Sequence, residues 1–229
     1  MEKMPSDHEL IMQARLSLDQ LRTHLIEHLE PVPQTTRARL LRLFEVWQQI
    51  YLLRVIDLAD VAIEMFSHKR LVPGCTLARS ILESVAVHYY LYKKIATHIE
   101  QCEPKPIHEL LQIGVFGGRE ESSPENAIQV LTAIKHLDRE FKGFEEEYNL
   151  LSEYAHPNLR GGFGSYAHQD GSMLETTFGL NPEGLDMGPC GLVGLHLGLL
   201  VASEVFNRLS SIQPTLIEIA NRNAPDSPL

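Results

Sequence analysis

Tyr148, Ser152 and His156 recur every four residues in the stretch Tyr-Asn-Leu-Leu-Ser-Glu-Tyr-Ala-His-Pro-Asn, so on a helix they share one face and point the same way. His156 is the natural general acid or base of the group, because imidazole changes charge near neutral pH. Pro157 disfavours helical geometry at the residue before it, so the helix ends there, with Asn158 adding a further polar group at the turn. A second pair, Arg79 and Glu83, stands one helical turn apart in a segment, 72–92, that carries no other formal charge. A helix apolar on nearly every side is buried, and two charges inside it need a reason. One reason is a pocket in which the guanidinium fork of Arg79 holds an anion or carboxylate that Glu83 helps to orient. The other is a brace, in which the pair neutralises itself and satisfies backbone groups of the loop after His156-Pro157. On the first reading Arg79, Glu83 and His156 carry the chemistry, and Tyr148, Ser152 and Asn158 bind the ligand.

Other chemistries lack their residues. Ser152 and His156 lie on one helix with no Gly-x-Ser-x-Gly elbow, so a hydrolase triad is not indicated. His88, His108, His136, His168 and His196 are scattered without paired ligand spacing, so neither a metal nor another cofactor is expected. Gly161-Gly162-Phe163-Gly164-Ser165 lacks the Gly-Lys-Ser/Thr of a phosphate loop and reads as a turn. Glu145-Glu146-Glu147 is an acidic first turn that suits a helix dipole.

A formal net charge of -10 repels phosphate backbones unless basic residues gather on one face, which disfavours nucleic acid as a partner. Cys75, Cys102 and Cys190 are distant and odd in number, so no disulfide framework is expected and a reducing cytoplasm fits best. The first residues show no secretory signal. The apolar stretch from Pro189 to Phe206 includes His196 and Glu204 and is too short to span a membrane, so it reads as a buried helix. Gly191, Gly194 and Gly198 within it let a neighbouring backbone approach closely.

The elements that must position these groups are helical. Ser6-Asp7 caps a first helix whose apolar residues run from Leu10 to Leu29, until Pro31 and Pro33 break it. Thr35 or Thr36 opens a second helix to Ser67, and Pro73 sits at the start of a third that reaches about Glu100. Shorter helices are predicted from Ile107 to Val115, from Pro124 to Phe141, and after Gly143 through the Tyr148 cluster. A glycine-rich segment, 161–184, follows, with a hairpin signal at Asp170-Gly171. It is placed to act as a lid over the Arg79 and His156 site. A long helix from Pro189 to Ser211, a short one from Leu216 to Asn221 and a frayed tail, 224–229, complete the chain. The fold expected is all-α: one multi-helix bundle over 1–223, with a small β-hairpin or glycine-rich excursion before the last long helix.

Ala78-Arg79-Ser80-Ile81-Leu82-Glu83, Ala133-Ile134-Lys135-His136-Leu137-Asp138 and Leu151-Ser152-Glu153-Tyr154-Ala155-His156-Pro157-Asn158 together resemble a set of bacterial helical proteins, over about Arg37 to Tyr166. Those proteins are distantly similar to the higher-eukaryote and prokaryote nucleotide-binding (HEPN) superfamily, whose active members are metal-independent ribonucleases of toxin and antiviral systems. The superfamily's hallmark is an Arg followed after four to six residues by a His, near the start of a late helix. The matching pair here, Arg22 and His28, falls in the first helix instead.

Three functions follow. The leading one is a cytosolic helical protein whose Arg79, Glu83, Ser152 and His156 bind a small anionic ligand or a protein partner. The second, implied by the resemblance, is a ribonuclease with His156 as acid or base and Arg79 stabilising the charged phosphorane-like state. The third is a structural adaptor or homodimer.

Overall fold

Ser6 opens the chain's first helix through a reciprocal cap. Its hydroxyl accepts from the Glu9 N–H, and the Glu9 carboxylate accepts from the Ser6 N–H. The computed structural model describes residues 5–31, 35–118, 125–169, 175–180 and 191–223.

Helix α1 spans Asp7–Arg22 and stops before the predicted Leu25 and Leu29. The reason is tertiary. The side chain of Gln49 accepts from the Ile26 N–H at 2.9 Å and donates to the His24 carbonyl at 3.2 Å, so a bent chain satisfies groups that another helical turn would have paired. Thr35 then caps α2, Thr36–Ser67, accepting from the Ala38 N–H at 3.2 Å. Lys69, at φ 54, turns the chain into α3, Leu71–Glu100, and α4 follows over Pro104–Phe116.

The next helix differs from its sequence pattern. Residues Glu125–Asn126 form a strand (β2) parallel to Gly117–Gly118 (β1), so α5 starts only at Val130 and ends at Asp138. Pro124, its predicted start, lies outside the described residues. The Asp138 carboxylate then accepts from the N–H groups of Gly143 and Glu145 at 3.1 and 3.2 Å, which halts α5 and orders the start of α6, Phe144–Ala155. Gly143 between them has φ 92, a conformation that suits a residue without a side chain.

After α6 come a π-helical turn, Leu159–Phe163, one turn of α7, Gly164–Tyr166, and an antiparallel pair of β3, Ala167–Gln169, with β4, Thr176–Phe178. The predicted Asp170-Gly171 turn lies outside the described residues, as do Pro33, Gly184, Pro189, Cys190 and the tail. Helix α8, Val193–Asn223, is one continuous element where the sequence pattern suggested two. Pro214 removes one backbone donor, yet Leu209, Leu216, Ile219 and Ala220 stay buried on both sides of it, and that packing carries the helix through.

The result is an all-α bundle with a small β excursion before its last long helix. Helix α3 is its axis, packed against α2, α4, α5, α6 and α8. Gly191, Gly194 and Gly198 do allow close packing, but by side chains and not by the backbone the sequence suggested: a Cβ at each would meet Cys75, Leu151 and Ile81 side-chain atoms at 2.7, 3.0 and 3.1 Å. Among the described residues no helix is long and apolar enough to cross a membrane.

Candidate functional site

Arg79 and Glu83 pair as their spacing requires, at 3.1 Å between Nη2 and Oε1. The Tyr148 hydroxyl closes the triangle from α6. It accepts from Arg79 Nη2 at 3.2 Å and donates to Glu83 Oε1 at 3.1 Å, and the guanidinium lies 5.3 Å from the phenol ring's centroid. Burial alone would lower the Arg79 pKa. The phenol hydrogen bond and the Glu83 charge outweigh it and raise the pKa, so the side chain is firmly cationic. Both charged side chains are about a quarter exposed, at 27% and 28%, so the pair sits at the edge of the α3–α6 seam. Arg79 Nε faces inward without a partner.

The rest of the sequence-derived cluster does not converge on that triangle. The Ser152 hydroxyl donates to the Tyr148 carbonyl at 2.8 Å and is engaged within its own helix. His156 is the exposed C-cap of α6, and no hydrogen bond or ion pair joins its ring to a described residue. It lies two turns, roughly 12 Å, along the axis from Tyr148. No hydrogen bond or ion pair links His156 to Arg79, Glu83 or Tyr148. Asn158 caps the π-helical turn: its Oδ1 accepts from the N–H groups of Arg160 and Gly161 at 3.0 Å each, while Nδ2 donates to Glu153 at 2.7 Å. Gly161 presses on the carbonyl oxygens of Tyr154 and His156, where a Cβ has no room. Much of the proposed lid, 170–174 and 181–184, falls outside the described residues.

Arg22 and His28 do not meet either. Arg22 pairs with Asp19 and Asp60, and the largely exposed His28 ring lies 3.9 Å from Glu30.

A basic cleft escaped the sequence reading. Where the C-terminal half of α3 meets the end of α5, Tyr89, Lys93, Lys94, His136, Arg139 and Glu140 line a cavity of about 530 Å³. Glu140 is neutralised in place: the Tyr89 hydroxyl and the Arg208 guanidinium both donate to it, and the Tyr89 bond above all holds its carboxyl pKa below the usual carboxylate range. Lys94 rides over the Tyr90 ring at 4.9 Å, and the His136 ring meets the same tyrosine edge-on at 5.1 Å. Lys93 and Arg139 have no ion pair with a described residue. The signal was present in two pieces, Lys93-Lys94 ending the apolar run of α3 and Lys135-His136 with Arg139 ending α5. Only the packing of α3 on α5 joins them.

Two buried groups have shifted protonation. His88 stacks between Trp47 and Tyr51, with ring centroids 5.3 and 4.0 Å away, and burial pushes its pKa down to about 4. Glu147 faces the Gly194 backbone with Oε2 unpaired, and burial raises its pKa.

No group of three or more His, Cys, Asp or Glu able to hold a metal occurs among the described residues. Compared with protein-family models, with curated proteins and with solved structures, the chain matches none.

Proposed function

We propose that the protein binds a small phosphate-bearing anion in the cleft between α3 and α5. The observation that carries this reading is the concentration of Lys93, Lys94 and Arg139 beside His136 around one cavity, in a chain whose formal net charge is -10. Cations gathered around one concave surface raise a positive potential there even when the rest of the surface is acidic. The one carboxylate among the described lining residues, Glu140, is held chiefly by Tyr89 and Arg208, and Lys93 adds only a smaller charge interaction with it, so the cleft keeps an excess of positive charge. Lys93 and Arg139 are left to offer a point charge and a bidentate fork to phosphate oxygens.

This keeps the anionic ligand expected from sequence and moves its site. At Arg79 an incoming anion would have to displace Glu83, so the geometry there favours the brace, with Tyr148 tying α6 to α3. A second reading, a HEPN-like ribonuclease, draws support from the same cleft, which places a histidine, His136, beside phosphate-holding cations; the exposed His156 has no such company. The buried Cys75 thiol and the exposed Cys102 thiol suit a reducing cytoplasm.

Titration calorimetry with inorganic pyrophosphate, repeated on Lys93→Gln/Arg139→Gln, tests the binding reading. Saturable binding lost in the double variant supports it, and equal heats from both proteins contradict it.

A further inference from the structure

A second cleft, of about 370 Å³, opens where α2 and α8 meet the bent chain after α1, far in character from the basic one. Its polar lining includes amides and a hydroxyl, Gln48 from α2 and Asn207, Ser210 and Gln213 from α8, set beside the apolar Ile26 and Phe206. Gln48 is only 6% exposed, yet its Nε2 has no hydrogen-bond partner. An unpaired buried donor of this kind is destabilising, and a protein retains one chiefly where something else answers it. Its sequence neighbour shows the contrast, because the Gln49 amide is engaged at both its oxygen and its nitrogen, holding Ile26 and His24 as the cleft's wall. On α8, Ser203 back-bonds to Leu199 at 3.1 Å, whereas no hydrogen bond joins the Asn207, Ser210 or Gln213 side chain to a described residue.

We propose that this cleft binds a small neutral ligand that carries a planar amide. An amide offers a donor and an acceptor on adjoining atoms, and a Gln or Asn side chain pairs with such an edge in a bidentate manner, as it does with an adenine edge. The His24 ring stacked on Phe206, with centroids 4.6 Å apart, gives the cleft a flat aromatic flank for a planar body. The lining holds no lysine or arginine among the described residues, and its one carboxylate, Glu45, is paired with Arg42 at 3.5 Å, so the cleft carries little net charge and suits a neutral ligand better than an anion. The site shares no residue with the basic cleft, so it stands or falls independently of the phosphate reading.

The test uses nicotinamide as a neutral planar amide and nicotinate as its charged counterpart, titrated into the full isotope-labelled chain and followed by ¹⁵N–¹H correlation spectra. Nicotinamide should give saturable shifts at Gln48, Ser210 and the 24–26 amides, and nicotinate should bind roughly tenfold more weakly or not at all, the equivalent of one lost charge-compatible hydrogen bond. Gln48→Leu should abolish the nicotinamide shifts while raising Tm by about 2 to 4 °C, because it removes the unpaired donor. Ser210→Ala, on a hydroxyl without a partner among the described residues, should weaken nicotinamide binding with Tm unchanged, and it keeps the test open should the core variant fail to fold. The proposal is overturned if nicotinamide gives no saturable shift at these residues, if nicotinate binds equally well, or if the folded variants bind as the native chain does.

Discussion

Arg79 reaches across from α3 to Tyr148 of α6 twice over, donating to its hydroxyl at 3.2 Å and lying 5.3 Å from its ring centroid. Tyr148→Phe separates the two contacts, since it keeps the ring and deletes the hydroxyl that also serves Glu83. Urea unfolding should show a loss of about 1 kcal/mol, the worth of an ordinary hydrogen bond. Arg79→Leu should lose about 2 kcal/mol, between the values for exposed and fully buried pairs, because both charges are partly solvated. Adding Glu83→Gln should restore part of it. A neutral Arg79→Leu would remove the brace from the account.

His88 sets one limb of the stability profile. Its folded pKa, about 4, lies below the ordinary 6.5, so between these values the unfolded chain takes up a proton that the folded chain refuses. Stability is therefore intact above pH 6.5 and falls as pH drops toward 4, by at most about 3 kcal/mol. His88→Phe should flatten this limb relative to the native chain when unfolding is measured at neutral and mildly acidic pH. Parallel profiles would show that His88 does not contribute to it.

Glu147 acts in the opposite sense. Burial raises its folded pKa, so the fold favours the protonated acid, and that contribution is lost as pH rises through the folded value. Glu147→Gln should raise Tm at pH 7 to 8 and leave it nearly unchanged well below the ordinary carboxylate value of 4.5. A lowered Tm at neutral pH would mean that the carboxylate has a stabilising partner.

How much of this was legible depends on whether the signal was local. Ser6 with Glu9, Thr35 and Gly143 are local punctuation, and each ends or opens a helix where the residue pattern says so. The end of α1 was not legible, because Gln49, distant in sequence, supplies the bonds that bend it. The late start of α5 depends on the pairing of Glu125–Asn126 with Gly117–Gly118, and the passage of α8 through Pro214 on buried leucines either side. At the site, periodicity gave the common face of Tyr148, Ser152 and His156. It could not show that Ser152 bonds its own helix, nor that His156 stands as the helix's exposed C-cap. The basic cleft is assembled from two helix ends and exists only after they pack.

Ribonuclease chemistry is tested by incubating the protein with single-stranded RNA in the absence of divalent metal. The binding account expects no cleavage from the native chain. Cleavage abolished by His136→Ala at unchanged Tm would establish the enzyme reading with His136 in the catalytic role, and cleavage abolished by His156→Ala would restore the cluster inferred from sequence.

The most direct measurement of the central claim is the salt dependence of pyrophosphate binding to the native chain, compared with Lys93→Gln, Arg139→Gln and, as a control, Arg79→Leu. Binding through the α3–α5 cleft should weaken steeply with added salt and fall by roughly tenfold in each cleft variant, about 1.4 kcal/mol. The Arg79 variant, once its Tm is confirmed above the assay temperature, should bind as the native chain does. Unchanged affinity in both cleft variants, or loss confined to Arg79→Leu, would contradict the assignment of the anion to this cleft.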